Sequence, residues 1–417
     1  MKYRILVWLL AASYFVANIV VGLSITDWSF IDENTYAIAA AKILLGEKCT
    51  IYQLNVATTC NYEHPPLAKA LEAVSLLLFG WFEPRGSIFN AEYIGSMVQL
   101  STSPLWFLSF RCFQISMGAL SIVLIYVISV RISGNERLGL AAACLLVLEP
   151  LYFFFSRTDY LDIPMIFFAL CAYAAYFSSV RFGPVSQFWL SGILMGLSVL
   201  CKESGLVFVV PLVAYHLMFG PPGRYVRLRG SLVIVIGMIT TGSIGLQLYD
   251  SLGNTPFPTL FNQITYAFEY SRSIACHGGC LFGPGPTSWF EFFVPTRWSD
   301  GFSGNQILLW LVFAWVPLGA YLVWKARGAA LGPELRLFVF ACLLFASTFL
   351  ENELIYLSNR KTWIYYYLII VPSVSLGGAY LLTRPQLHRW IKVGVVAFIL
   401  LGYGWAYAAG PSFFLYD

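Results

Sequence analysis

Charged residues are scarce in this chain: Asp, Glu, Lys and Arg make up 11% of its 417 residues, whereas hydrophobic residues make up 59%. A typical soluble domain carries roughly a quarter charged residues. So few charges cannot cover a surface that faces water, and lipid must cover much of the chain instead. The composition excludes a soluble globular protein and predicts an integral membrane protein. The net charge of +4 is small, and no nucleic-acid partner is expected.

Several common signatures are also missing. No small-residue cleavage motif ends the apolar run over residues 5–25, which is long enough to span a membrane. We therefore interpret this run as a retained first helix and not as a cleaved signal peptide. No internal repeat is visible, so the inverted-repeat architecture of many transporters gains no support.

The nine cysteines form no zinc-binding pattern. Two pairs, Cys49 with Cys60 and Cys276 with Cys280, fall in polar stretches and predict two disulfides if those stretches face an oxidising side. Free thiols at these four positions are the equal alternative. The other five lie in or beside apolar runs and are expected to be small core residues. They are Cys112, Cys144, Cys171, Cys201 and Cys342.

Eleven apolar runs are interpreted as membrane helices, which predicts an all-α polytopic protein with a single domain over residues 1–417. Their spans are 4–25, 108–131, 138–156, 161–180, 186–201, 204–219, 231–249, 305–324, 335–353, 363–382 and 391–409. With the N-terminus in the cytoplasm, Lys2, Arg4 and the short inside loops hold 14 of the 25 basic residues. The only acidic residues there are Glu136 and Glu334. Because Lys and Arg favour the cytoplasmic side, this orientation is predicted, with the C-terminus outside.

Two long segments then face the outside, over residues 26–107 and 250–304. The first contains two helical patterns too short to span, at 34–45 and 67–79, and these are expected to lie along the membrane surface. The second is rich in Gly, Pro and aromatic residues, which favours an ordered loop over a cavity.

Charged and polar residues whose presence in so apolar a chain requires a structural or functional explanation cluster on this outer side. The pair Asp32-Glu33 follows the first helix, and the simpler interpretation is that it caps a helix starting near Asn34. His64 and Lys69 flank two prolines where the next helix begins. The simpler interpretation of this second motif is a rigid loop with an interfacial lysine.

A compact turn between two apolar helices carries Arg157, Asp159 and Asp162. Three charges at a membrane face are costly and favour a function, although Arg157 and Asp162 could merely pair with each other. In the same way, Lys202 and Glu203 could form a buried ion pair.

Two further cationic positions stand at helix starts. Arg111 opens the second span, and Arg360-Lys361 precedes the tenth, followed by several aromatic residues. The aromatic residues fit an interfacial belt, and the cations could bind a lipid phosphate. All these side chains on one face suggest a polar cavity that opens outward at the membrane surface.

In this order, the motifs resemble the protein O-mannosyltransferase family and its relatives, the GT-C membrane glycosyltransferases. The matching elements are Asp32-Glu33, His64-Pro65-Pro66-Leu67-Ala68-Lys69, Arg111, Ser156-Arg157 with Leu161-Asp162-Ile163-Pro164, Lys202-Glu203-Ser204-Gly205-Leu206, His277 with Ser288-Trp289, and residues 360–372. Ala68 stands where the family has Gly, and the chain has no room for the soluble outer domain of eukaryotic members. A compact prokaryotic, archaeal-type member is expected.

The resemblance implies a GT-C fold and transfer of a sugar, mannose, from a polyprenyl- or dolichyl-phosphate carrier to a protein Ser/Thr hydroxyl with inversion. Asp32 would act as the base with Glu33 as helper, because the attacking hydroxyl must lose its proton. Arg111, Arg360 and Lys202 would bind the donor phosphate. Contacts to donor or acceptor would come from His64, Lys69, Arg157, Asp159, Asp162 and His277. No cofactor is required and no metal-ligand cluster is visible, although acids beside a phosphate could hold a divalent ion.

Three alternatives stay open. The same chemistry could serve a lipid-linked glycan or a lipid headgroup, since aminoarabinose transferases share the early acidic residue. A transporter or flippase also needs a polar cavity with charges, but it predicts broken helices near mid-membrane and often repeats. The charges here cluster at helix ends on one face, which disfavours it. A structural or assembly protein would leave Asp32, His64, Arg111 and Arg360 scattered. No oligomeric state is indicated.

Overall fold

A computed structural model describes residues 2–23, 31–45, 64–79, 104–178, 184–251, 260–273, 306–325, 331–357, 364–384 and 389–409. Every regular element in these ranges is helical. The first eight helices are α1 (Lys2–Gly22), α2 (Ile31–Leu45), α3 (Leu67–Phe79), α4 (Pro104–Ser133), α5 (Glu136–Val147), α6 (Pro150–Phe155), α7 (Asp162–Phe177) and α8 (Pro184–Cys201). The remaining ones are α9 (Val209–Phe219), α10 (Arg224–Ser251), α11 (Leu260–Ser273), α12 (Gln306–Lys325), α13 (Pro333–Leu357), α14 (Val371–Thr383) and α15 (Arg389–Ala409).

Among the described residues, five helical segments are long and apolar enough to cross a membrane: Lys2–Gly22, Leu108–Ser133, Arg224–Tyr249, Pro333–Ile355 and Tyr366–Thr383. Shorter apolar helices, such as Asp162–Phe177 and Val185–Cys201, lie among them. The prediction of an all-α, multi-pass membrane protein is confirmed. The count of eleven crossings, the single domain and the orientation stay predictions.

The predicted span 138–156 is wrong as one helix. It is two helices, α5 and α6, that break at Glu149 before Pro150. Proline disfavours a helical conformation in the residue before it but is well suited to a first helical turn. The Glu149 carboxylate caps the new helix by accepting the backbone N–H of Tyr152 at 2.9 Å.

Two other predicted spans begin as tighter 3-10 turns, Glu203–Phe208 before α9 and Ile364–Ile370 before α14. The helical pattern at 67–79 is confirmed as α3, whereas α11 was not predicted. Much of the two long loops, including all four cysteines of the predicted disulfides, lies outside the described residues. Of the five cysteines expected in the core, Cys201 is fully buried and the others are half-buried.

Close helix packing brings the site elements together. Helix α8 packs against α10, α7 and α3, and α4 packs against α1, α3, α5 and α7. The contact of α8 with α10 requires glycine, because a Cβ at Gly192 would lie 2.5 Å from the carbonyl oxygen of Ile234. Helix α1 is held to the bundle by Tyr14, whose hydroxyl donates to the Ser156 hydroxyl at 2.9 Å.

Candidate active site

A buried ion pair links α2 to α4 at the site. Glu33 on α2 and Arg111 on α4 are both fully buried, with Oε1 and Nε 2.7 Å apart. The same Glu33 oxygen accepts the backbone N–H of Asp159 at 2.9 Å. One carboxylate therefore connects α2, the first half of α4 and the turn before α7. Burial of two charges is tolerated only when they are paired and hydrogen-bonded, as here.

Helix α2 begins at Ile31, so Asp32 and Glu33 lie inside its first turn. The interpretation that this pair caps a helix starting near Asn34 is wrong for Glu33, because its carboxylate is directed to Arg111 and Asp159. Successive residues on a helix differ by about 100° in direction. The fixed position of Glu33 therefore also fixes the backbone of Asp32 beside it.

Gln114, one turn after Arg111 on α4, bridges two carboxyl groups. Its amide nitrogen Nε2 lies 3.0 Å from Glu72 Oε1 on α3 and 2.9 Å from Asp159 Oδ1. Burial raises the pKa of both Glu72 and Asp159 well above their ordinary range, and each carboxyl lies near another acid that raises it further. Sequence reasoning missed Glu72 and Gln114. The available signal was a charged or amide side chain inside an apolar helix.

An ion pair and a hydrogen bond between side chains lie around Lys202 and Glu203. The Lys202 ammonium is bonded to both carboxylate oxygens of Asp162, at 2.8 and 2.9 Å, and lies 5.1 Å from the ring centre of Tyr366. His64 Nδ1 lies 2.8 Å from Glu203 Oε2. The expected Lys202–Glu203 pair and the alternative Arg157–Asp162 pair are both wrong. Adjacent residues point in different directions, and other helices supply better-placed partners.

The motif around His64 is compact. Lys69 is buried and its ammonium donates to the backbone oxygen of His64 at 2.8 Å, so the interpretation as an interfacial lysine is wrong. The ring of Tyr36 lies edge-on to His64 at 6.1 Å and to Tyr160 at 5.9 Å. These contacts place the start of α3 against α2 and the turn before α7.

Arg157 is buried against aromatic rings. Its guanidinium carbon lies 4.8 Å from the ring centre of Phe153 and 5.1 Å from that of Phe154. Such stacking stabilises a cation away from water. Glu351 on α13 was not predicted; it interacts with Ser204 and faces Lys202.

The structure brings most predicted site residues to one region of the bundle: Glu33, His64, Lys69, Arg111, Arg157, Asp159, Asp162 and Lys202. Arg360 and His277 lie outside the described residues, as does the side chain of Asp32. Within the described ranges, no group of three or more His, Cys, Asp or Glu side chains is placed to hold a metal ion. In such a site the buried cations can bind a phosphate, and a carboxylate can accept a proton from a hydroxyl.

Comparison with known proteins supports this chemistry. The family model for dolichyl-phosphate-mannose-protein mannosyltransferases matches residues 55–249, which contain His64, Arg111, Asp159 and Lys202. This chain resembles protein O-mannosyltransferases. Dolichyl-phosphate-mannose–protein mannosyltransferase 1 of Saccharomyces cerevisiae is 32% identical over 152 residues, which are 35% of this chain and 18% of the yeast protein. The matched region thus spans less than a fifth of that relative.

Solved structures show the same fold. The S. cerevisiae protein O-mannosyltransferase Pmt1–Pmt2 complex, bound to the sugar donor, is similar with a TM-score of 0.70 at 13% identity, over 99% of this chain and 90% of that one. The Archaeoglobus fulgidus oligosaccharyltransferase is similar with a TM-score of 0.55 at 12% identity, over 98% of this chain and 56% of that one. The predicted resemblance to GT-C glycosyltransferases is confirmed.

Proposed function

We propose that this chain is an inverting mannosyltransferase that moves mannose from a dolichyl- or polyprenyl-phosphate carrier to a Ser or Thr hydroxyl of a protein. The match of residues 55–249 to the mannosyltransferase family model supports the donor and the acceptor. The observation that carries the proposal is the buried contact of Glu33 with Arg111 and Asp159, which joins three of the matching motifs.

In the proposed reaction, Asp32 takes the proton of the acceptor hydroxyl as its oxygen attacks the anomeric carbon of the sugar. The bond from that carbon to the phosphate oxygen breaks on the opposite side, which inverts the configuration. Lipid phosphate leaves with the electron pair of that bond. A carboxylate suits the first role because it can hold the proton.

The growing negative charge on the leaving phosphate needs cations that are already in place. We assign Lys202, Arg111 and Arg360 to this task. Lys202 is held by Asp162, and Arg111 is held by Glu33, so neither must reorganise during the reaction. His64, Lys69, Arg157, Asp159 and His277 complete the proposed contacts to donor and acceptor.

The proposed site lies on the extracytoplasmic face, with the N-terminus in the cytoplasm and the C-terminus outside. The bias of Lys and Arg toward the short loops supports this orientation. A lipid-linked donor carries its phosphate at headgroup depth, which explains a site built at helix ends in a membrane protein. The reaction as written uses no cofactor.

A transfer assay tests the proposal. Purified protein in detergent receives polyprenyl-phosphate mannose or glucose with labelled sugar, and label is followed into a Ser/Thr peptide, into lipid and into water. We expect transfer of mannose to peptide, and a loss of roughly two to four orders of magnitude in Asp32→Asn, the usual scale for a general base. Glu269→Gln, an exposed position on α11, is the matched control and should keep full activity.

The fate of the label distinguishes a protein acceptor from a lipid acceptor. Label that enters only a lipid acceptor would replace the protein acceptor in the proposal. Equal transfer by wild type and Asp32→Asn would remove Asp32 as the base. No transfer from either donor by well-folded protein would contradict the proposed function.

A further inference from the structure

Two carboxyl groups are held side by side next to the candidate active site. Gln114 directs one amide N–H to Glu72 Oε1 and the other to Asp159 Oδ1, at 3.0 and 2.9 Å. All three side chains are fully buried. Because both hydrogens come from one nitrogen, the two carboxyl groups cannot be far apart.

Each member of this group also carries an atom that still needs a partner. Glu72 Oε2, Asp159 Oδ2 and Gln114 Oε1 are buried and accept no hydrogen bond within the described part of the chain. Buried acceptors without donors are costly, and two adjacent buried carboxylates repel each other. One proton between the carboxyl groups removes their repulsion and joins the two by a hydrogen bond, as in pairs of acids that share a single proton.

The charges around the two carboxyl groups also indicate one retained proton. Among the side chains that the structure describes, the groups that face the pair are Glu33 on α2, Lys69 on α3, Arg111 on α4 and, on α8, the thiol of Cys201. Three ionised acids would meet two cations, and Arg111 is already bonded to Glu33. One proton on the pair brings this buried group to neutrality.

We propose that Glu72 and Asp159 share one proton in the folded protein, and that Glu72 is a positioning residue for the acidic turn of α2. Through Gln114, Glu72 holds the side chain of Asp159. The backbone N–H of Asp159 is thereby directed at Glu33, which is adjacent to Asp32. The effect on sugar transfer rests on the proposed function, whereas the shared proton does not. Burial raises the pKa of both carboxyl groups; the nearby charge of Asp159 raises that of Glu72 further, and the charge of Glu33 raises that of Asp159, which agrees with a retained proton.

Infrared spectroscopy tests the shared proton without any substrate. A protonated carboxyl group has a carbonyl stretch that an ionised one lacks. The spectrum of wild type minus that of Glu72→Gln, both at neutral pH, should contain this band. In the variant the remaining Asp159 ionises beside a neutral amide, so the band of the shared proton is lost. The band should persist in the control Glu269→Gln. No difference between wild type and Glu72→Gln would overturn the shared proton.

Kinetics test the positioning role. Glu72→Gln keeps an acceptor oxygen for Gln114 and should retain transfer within about threefold. Glu72→Leu removes it and should lower kcat on the order of 10²-fold with a smaller change in KM, since misplacement of about 1 Å has that cost. Circular dichroism and size exclusion establish that both variants are folded. Full activity of folded Glu72→Leu would overturn the positioning role. Absence of transfer in wild type would contradict the proposed function and leave the infrared result to decide the shared proton.

Discussion

Glu33 on α2 and Arg111 on α4 form an ion pair that is completely buried, 78 residues apart in sequence and 2.7 Å apart in space. Formation of such a pair contributes little net stability, because both groups lose their hydration. Its value lies in specificity, since either partner alone would be an uncompensated buried charge. The short loop-side helix α2 is thus connected to the membrane helix α4 in one defined register.

This pair gives the first prediction. Arg111→Met should destabilise the fold by roughly 3–5 kcal/mol, because Glu33 would keep a buried charge without its cation. The double variant Glu33→Gln with Arg111→Met should lose less than the sum of the two single variants. Thermal unfolding in detergent measures all three. Additive losses would show that the two residues act independently.

A second prediction concerns Lys202. Lys202→Met should weaken donor binding and lower kcat/KM by about tenfold or more, because a buried cation at the phosphate site is removed. It also leaves Asp162 without its cation, so Asp162→Asn serves as the matched comparison. If Lys202 acts on the phosphate, Asp162→Asn should have the smaller effect on donor KM. Equal effects of both variants would assign Lys202 a purely structural role.

The carboxyl pair gives a prediction on pH. Unfolded Glu and Asp release their protons near pH 4, whereas burial raises the pKa of folded Glu72 and Asp159. The folded state therefore binds more protons than the unfolded state above about pH 4, and stability is lost as pH rises through the raised pKa. As pH is raised from about 5 to about 9, the unfolding temperature should fall more steeply for wild type than for Glu72→Gln. Parallel curves for the two proteins would contradict this.

The contact of α8 with α10 gives a fourth prediction. Gly192→Ala should destabilise the protein by roughly 1–3 kcal/mol, because the added Cβ would meet the backbone oxygen of Ile234 and force the helices apart. Gly394→Ala on α15 is the matched control. A Cβ at that position meets no atom within 4 Å, and alanine favours a helix over glycine. Comparable losses for the two variants would show that close helix approach is not the cause.

The sequence by itself determined the local elements of this protein. Scarce charge and long apolar runs dictate membrane helices, and the helix at Leu67–Phe79 follows directly from its apolar run after two prolines. The order of short motifs also indicated the resemblance to protein O-mannosyltransferases and most residues of the candidate site. These features depend on neighbours along the chain, which a sequence displays.

Only the tertiary structure decided which side chains meet. Lys202 pairs with Asp162, 40 residues away, and not with adjacent Glu203. Glu72 accepts a hydrogen bond from Gln114, 42 residues away, which connects it to the site. The sequence shows a glutamate in an apolar helix but does not indicate which residue it contacts. A buried charge takes whichever opposite group the packed helices bring within reach, and that choice depends on helix rotation and contact. Hydrophobic periodicity fixes neither, so it predicts the helices but not the network between them.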